Sequence, residues 1–312
     1  MRDFLKTADL IDPVRAAFGS HRRPLAVTRL EGGSTKGVYR VALDDGSTTL
    51  AYRWHPDENF WPARTEIDVG PFQQDAGRAS FVSRNRQLTA LGVRVPAVFH
   101  VDESADIALI EDLSGGTLEE LIERDAAAGQ IALEKLGAML HRMHSHTAAV
   151  PGPPTERFIT ERGRRALATS AARVPRIAAV EEQLAYELSV RSEAVRPRAE
   201  HGLIHGEIGP DHVMVDAAGE PVLIDIEATR FFDVEWEHAF LELRFGPHYP
   251  MLRTVPLDPA RLQLSRLVEY LSLVAGPLLL LDGDFPHRDF MLEIAEVNAD
   301  RALACLGGGS PF

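Results

Sequence analysis

The sequence predicts an α+β chain of two lobes, a small antiparallel sheet first and a mainly helical part after it. Three observations carry this. β-like runs concentrate in residues 1–112, helical periodicity dominates from Thr117 onward, and no segment repeats at a fixed interval. A chain that alternated strands and helices would have pointed to a parallel sheet instead. With 312 residues, 45% of them hydrophobic, there is apolar material for a core in each lobe.

The opening run DFLKTADLIDPVRAAFG spaces its apolar residues as a helix does and stops at Gly19. LAVTRL, GVYRVALD and STTLAYRWH read as strands, and Asp44-Asp45-Gly46 between the second and third has hairpin-turn chemistry. After a stretch punctuated by Pro and Gly from His55 to Gly77, FVSRNRQLTALG reads as a helix ending at Gly92. VPAVFHVDE and IALIEDL follow as two more strands around a turn at Ser104-Ala105. The boundary between lobes falls near Glu111 to Gly116, dividing the chain into 1–112 and 113–312. Beyond it GTLEELIERDAAAG and LEKLGAMLHRMHSHT read as two amphipathic helices, and PGPP at 151–154 as a loop. Residues 157–198 continue as two or three helices broken at Pro175 and closed at Pro197. Short strands and loops occupy 203–230, and 262–306 is helical apart from a break over 282–286.

Composition narrows the function. No apolar run reaches the roughly 20 residues of a membrane span, and LSLVAGPLLLLDGDF is interrupted by Gly276 and Pro277. The start lacks the apolar core and cleavage site of a secretory signal, so a cytoplasmic location without a membrane partner is expected. A lone Cys305 excludes an intrachain disulfide and a cysteine zinc site. A formal charge of -13 with no dense Lys/Arg run argues against a nucleic-acid partner. Residues 201–250 carry ten acids against two bases, a field that would attract a metal ion or a cationic substrate if it is not merely a solvated surface. Nothing marks a dedicated association segment.

Two stretches carry chemistry. HGEIGPDHVMV, from His205 to Val215, is followed by LIDIEA with Asp225 inside it. A carboxylate on a loop and a second one after the next strand is the layout of phosphoryl transfer: Glu207 would accept the proton of a substrate hydroxyl, and Asp225 would hold the metal that bridges nucleotide phosphates. Near the start, LEGGSTKGVYR joins two strands. Gly32, Gly33 and Gly37 allow a tight turn, and Ser34, Thr35 and Lys36 add donors, so the loop can close over phosphates. It is not a Walker A loop, since no Gly-Lys-Ser/Thr occurs in it.

Through His205–Pro210, Ile224-Asp225-Ile226-Glu227, Asp233 and Glu237-His238-Ala239, the sequence resembles the aminoglycoside phosphotransferase and choline kinase group, which has the protein-kinase-like fold. The resemblance implies an ATP- or GTP-dependent kinase acting on a hydroxyl of a small molecule, an aminoglycoside or another hydroxylated, cationic compound. It makes Glu207 catalytic and Asp225 and His212 the metal ligands. It also makes Gly32, Gly33, Ser34 and Lys36 the phosphate loop, and sets Arg53 where a lysine usually grips the α- and β-phosphates. IALIEDLSGGT matches the hinge, where Glu111 and Leu113 would meet the adenine.

The sequence departs from the group's pattern at several posts. Glu207 stands for Asp, His212 for Asn and Glu237 for the last Asp. Asn85 occupies the post of the helical carboxylate that would orient Arg53, with Glu66 or Asp68 as substitutes. Imidazole is a poor ligand for Mg2+, so His212 implies Mn2+, a phosphate contact, or a metal held by Asp211 instead. These departures motivate a second reading, a catalytically weak or inactive kinase-like protein that binds a nucleotide or other ligand. A third is some other transferase or a metal-dependent hydrolase using the same carboxylates. His205 and the histidines of HRMHSH read as structural, and Asp233 and Glu237 as braces of the catalytic loop, Asp233 also as a helix cap.

Overall fold

The five early strands form one antiparallel sheet in the order β1-β2-β3-β5-β4: β1 (Pro24–Arg29), β2 (Gly37–Leu43), β3 (Thr48–Arg53), β4 (Val98–Asp102) and β5 (Ile107–Glu111). The computed structural model describes residues 2–31, 33–62, 70 and 77–307; Gly32, Glu66 and Asp68 lie outside them. The chain forms two compact units, each assembled from separate stretches. The first draws on Met1–Phe60, Asp75–Lys135 and Pro210–Glu227, the second on Trp61–Gln74, Leu136–Gly209 and Ala228–Phe312. The boundary at residue 112 follows the change from strands to helices, and these units follow packing, so the two partitions differ over 61–74, 113–135 and 210–227.

In the first unit, period-two alternation sends Tyr39, Val41 and Leu43 of β2 to one face while Arg40 stays exposed. They pack with Ala51, Ile107 and Leu109 against Leu10 and Val14. Val14 belongs to α1 (Ile11–Phe18) and Leu10 to the 3-10 turn Thr7–Leu10 before it. The expected helix thus starts later than Asp3. The cause is local: the Lys6 backbone N–H donates to the Asp9 carboxylate at 2.8 Å, and the Leu5 N–H donates to the Tyr39 hydroxyl, tying residues before the turn to the sheet. α2 (Arg78–Ala90) carries Asn85, whose amide donates to the Pro96 carbonyl at 2.8 Å and thus holds the loop before β4.

α3 (Leu118–Arg124) opens on a capping box in which Thr117 and Glu120 satisfy each other's backbone N–H groups. It ends at Asp125, not Gly129. Asp125 is extended, and its carboxylate accepts from Ala127 and Ala128, so it caps the next helix, and residues 126–129 belong to α4 (Ala126–His144).

The chain then contributes to the second unit β6 (Thr147–Ala148), α5 (Thr155–Ala171), α6 (Pro175–Ala178), α7 (Glu181–Ala194) and β7 (His201–Ile204). It returns to the first for the hairpin β8 (Val213–Val215) and β9 (Pro221–Leu223), then supplies β10 (Arg230–Phe232), α8 (Val234–Phe245), α9 (Pro259–Leu280) and α10 (Arg288–Ala304). α9 is the centre of the second unit: Leu264, Leu267, Val268, Leu271 and Val274 pack against Ile159, Ala166 and Leu167 of α5 and Ala299 and Ala302 of α10. It starts where Asp258 accepts from Ala260 and Arg261 N–H groups, and it is buried on nearly all sides, as a core helix must be. Among the described residues no helix is long and apolar enough to cross a membrane.

Candidate functional site

Lys36, at the end of the glycine loop, is 5% exposed and reaches two acids that follow β9. Its Nζ lies 2.5 Å from Asp225 Oδ1 and 2.8 Å from Glu227 Oε1, and 5.0 Å from the centre of the Tyr52 ring. The first is a hydrogen bond; the second is a charge contact without hydrogen-bond alignment. Burial opposes charge on Lys36, but Asp225 and then Glu227 outweigh it and hold the ammonium above the ordinary lysine value. Burial likewise pushes the Glu227 carboxyl up, with Lys36 opposing. His212 stands on the other side of Asp225, with Nε2 3.6 Å from Oδ2, and Asp211 is 3.9 Å from the same nitrogen. Asp225 itself has φ +55°, a left-handed conformation that short polar side chains tolerate best.

Lys36, His212 and Asp225 therefore come together, with Glu227 as a partner that the motif gave no role. Arg53 is engaged elsewhere. Side chains alternate along a strand, so Arg53 leaves β3 on the face opposite Tyr52. Its guanidinium donates to the Asp3 carbonyl at 2.8 Å and lies 3.7 Å from Glu58. Glu58, fully buried in the short turn after β3, is also held by Arg29 at 3.2 Å and by the Tyr39 hydroxyl. Burial and this contact push Tyr39 up to about 12. The carboxylate paired with Arg53 is thus Glu58, and neither Asn85 nor a residue of α2 fills that post.

This clamp explains Gly37. A Cβ there would sit 2.4 Å from the Glu58 carboxyl carbon and 2.6 Å from the Tyr39 ring. Gly37→Ala is expected to destabilise the chain by about 1–3 kcal/mol through overpacking, measured as a lower urea midpoint. An unchanged midpoint would show that Glu58 can leave its partners freely.

The segment from Glu111 to Leu113 uses its side chains to hold itself. Glu111 accepts from Arg94 at 2.6 Å and from the Ala97 N–H, and Arg94 keeps its carboxyl below the usual range. Asp112 takes both guanidinium arms of Arg40, and Leu113 is buried. In the glycine loop, the Ser34 carbonyl accepts from the Phe60 N–H, and Gly33 turns so tightly that a Cβ would meet the Lys36 carbonyl at 2.4 Å.

In the second unit, Glu207 is exposed on the loop after β7. Glu237 of α8 braces that loop: it accepts from the His205 N–H at 2.8 Å, from the Gly206 N–H at 3.3 Å, and pairs with His144 at 2.9 Å. Burial works against its charge, but His144 and His205 outweigh it and hold Glu237 below the usual range. Gly206 has φ +101°, which a side chain would strain. His205 and His144 are buried.

Asp233 does not brace the loop or cap α8. Its carboxylate turns to Arg261 at 2.5 Å and to the Thr155 hydroxyl at 3.0 Å, because an uncompensated guanidinium in that core outcompetes a cap. Sequence reading also missed Glu269 on α9. Buried and pushed up to about 8, chiefly by desolvation, with Arg162 opposing and Glu207 adding repulsion, it is a second carboxyl in the field of Glu207. Its one signal is an acid inside the apolar run LVEYLSLV.

As they stand, these residues do not fit a divalent ion. The ammonium of Lys36 occupies Asp225 Oδ1, and among the described residues no three His, Cys, Asp or Glu groups converge on one point. Mg2+ asks for about six oxygens near 2.0–2.1 Å.

The model of the phosphotransferase enzyme family matches residues 27–241. Among solved structures, choline kinase LicA from Streptococcus pneumoniae is similar with a TM-score of 0.66 at 15% identity, over 96% of this chain and 98% of that one. A thermostable mutant of aminoglycoside phosphotransferase APH(4)-Ia, in ternary complex with ADP and hygromycin B, gives 0.62 at 17% identity, over 97% and 99%. A putative fructosamine-3-kinase from Thermobifida fusca gives 0.54 at 19%, over 95% and 98%. These likenesses carry the fold, which is α+β and protein-kinase-like. Comparison with curated proteins gives no significant match.

Proposed function

This chain belongs to the phosphotransferase enzyme family, and from that premise we propose that it is an ATP-dependent kinase of a hydroxyl on a small molecule. The observation that carries the reading is the meeting of the glycine-loop lysine with the acid after β9, Lys36 with Asp225 at 2.5 Å. A loop able to cradle phosphates then has a cation and a metal-type carboxylate at its base. Gly32, Gly33, Ser34 and Lys36 are assigned to the phosphates. Residues 1–112 are the nucleotide lobe, with Glu111 and Leu113 meeting the base of ATP or GTP. Arg53 contributes by holding Glu58 in place.

In the reaction, the substrate oxygen bonds to the γ-phosphorus as the bond from that phosphorus to the bridging oxygen breaks. ADP leaves, and the hydroxyl proton passes to Glu207. Asp225 and His212 are the residues we assign to Mg2+ or Mn2+, once Lys36 no longer holds Asp225. The acidic stretch over 201–250 favours a hydroxylated, cationic acceptor such as an aminoglycoside. One observation favours the alternative of a weak or inactive nucleotide-binding protein: Lys36 already neutralises Asp225.

Thermal unfolding with ATP or GTP in Mg2+ or Mn2+ tests the reading, followed by labelled phosphate transfer to a panel of hydroxylated antibiotics. Nucleotide at a hundred times its Kd should add about 2.7 kcal/mol of stability, and at least one cationic acceptor should be labelled. Stabilisation without any transfer selects the inactive alternative. No stabilisation by either nucleotide sinks the kinase reading and leaves a kinase-like protein that binds another ligand.

A further inference from the structure

Residues 2–5 form neither helix nor strand, yet each is tied to the sheet or to the turn Pro56–Glu58 and the two residues after it. The Arg2 guanidinium donates to the Asp57 carbonyl at 2.7 Å and to the Asn59 carbonyl at 3.0 Å, and it lies 4.1 Å from the centre of the Phe60 ring. The Asp3 N–H donates to the Asp57 carboxylate at 3.1 Å, and the Asp3 carbonyl accepts from Arg53. Arg29 stands 4.7 Å from the Phe4 ring and 5.8 Å from the Phe60 ring, so two guanidinium groups and two rings alternate. The Leu5 N–H closes the series on the Tyr39 hydroxyl.

This arrangement reaches the glycine loop through one peptide group. The Asn59 carbonyl that Arg2 holds and the Phe60 N–H that donates to the Ser34 carbonyl at 2.8 Å belong to the same planar unit. Fixing one end of a planar amide fixes the other, and a charged donor on its carbonyl strengthens its N–H as a donor. Phe60 is buried beneath Arg2, so the unit cannot rotate without drawing its ring out of that packing. A loop built on glycines has the most backbone freedom to lose when it closes on a ligand. Anchoring it at Ser34 removes part of that cost before the ligand arrives.

We propose that Arg2 is a positioning residue for nucleotide binding, holding the glycine loop through the Asn59–Phe60 peptide and not by contact with the phosphates. This rests on reading the loop as the one that takes phosphates.

The test is Arg2→Met in the full chain, which keeps most of the stem and removes the charge and the donors. Amide hydrogen exchange at residues 33–36 should speed up about tenfold, the worth of one charge-assisted hydrogen bond, while the amides of β3 and β5 keep their rates. ATP should bind about tenfold more weakly, and KM for ATP should rise by the same factor with kcat at saturating ATP unchanged, a split that a merely structural role would not produce. Arg2→Lys keeps a charge over Phe60 and a donor for the Asn59 carbonyl, and should recover most of the affinity. Phe60→Leu leaves every charge in place and should weaken ATP as Arg2→Met does; an unchanged affinity there would mean that Arg2 acts by its charge alone and overturns the proposal. Unchanged exchange at 33–36 in Arg2→Met overturns it as well, as does faster exchange with unchanged ATP affinity. A wild type that binds neither ATP nor GTP sinks the phosphate reading of the loop and the nucleotide role of Arg2 with it, and exchange at 33–36 then still decides whether Arg2 holds the loop.

Discussion

Arg261→Met is expected to destabilise the second unit by about 3–5 kcal/mol, the range for removing one partner of a buried charge pair. That is a large share of the about 5–15 kcal/mol by which a domain is stable. Arg261 is 1% exposed at the start of α9, and its guanidinium touches three other segments at once. It meets Asp233 before α8 at 2.5 Å, Glu156 at 3.5 Å and the Thr155 hydroxyl at 3.3 Å on α5, and the Arg196 carbonyl after α7. His201 of β7 lies 3.5 Å from Asp233, and Arg198 reaches both Asp233 and Glu235. Without Arg261, Asp233 would be a fully buried acid whose remaining cation, Arg198, stands 3.9 Å away. Urea unfolding followed by tryptophan fluorescence measures the loss. Adding Asp233→Asn should recover part of it, since the orphaned charge is then gone. If the double variant is as unstable as the sum of the two singles, packing and not charge explains the network.

Such a network shows where sequence reading stops. Each member looks ordinary along the chain, and what joins Glu156, Asp233 and Arg261 is tertiary. The local features were legible because their causes are local. Alternation in GVYRVALD forms β2, the hairpin at Asp44-Asp45-Gly46 forms where expected, and Pro175 and the stretch 282–286 do interrupt helices. Two of the displaced boundaries also have local causes, but of a kind that periodicity does not register. At Lys6 and at Asp125, a single carboxylate captured backbone N–H groups and overrode the apolar pattern.

The site divides in the same way. HGEIGPDH and LIDIEA could be recognised because a motif keeps its residues close in sequence. Along the chain Lys36 reads only as a donor of the glycine loop, because its partner Asp225 lies 189 residues away and nothing near it announces the pair. Arg53 had the expected type and strand, yet the pleat that turns Tyr52 toward Lys36 turns Arg53 toward Glu58. Glu58 itself sits in HPDEN, which reads as a solvated turn, and only the sheet geometry buries it.

With Glu207 as the base in the proposed reaction, Glu207→Gln should leave nucleotide affinity unchanged and lower phosphate transfer by about 10²–10⁴-fold, the usual contribution of a positioned general base. The amide keeps the size of the side chain and removes the site for the proton. Glu207→Asp is the sharper variant, because it restores the residue usual in the group. A free loop would then gain activity. This loop is not free: Glu237 holds the backbone N–H groups of both His205 and Gly206, Glu237 is itself fixed by His144, and Ile208 is buried. With the backbone pinned, losing a methylene draws the carboxylate back by about 1 Å, a displacement that can cost on the order of a hundredfold. Glu207→Asp is therefore expected to lose activity, through kcat more than KM. Loosening the brace with Glu237→Gln should narrow the gap between Glu207 and Asp. A gain of activity in Glu207→Asp alone would mean that the loop is set for the shorter acid, and that glutamate there marks a weakened enzyme.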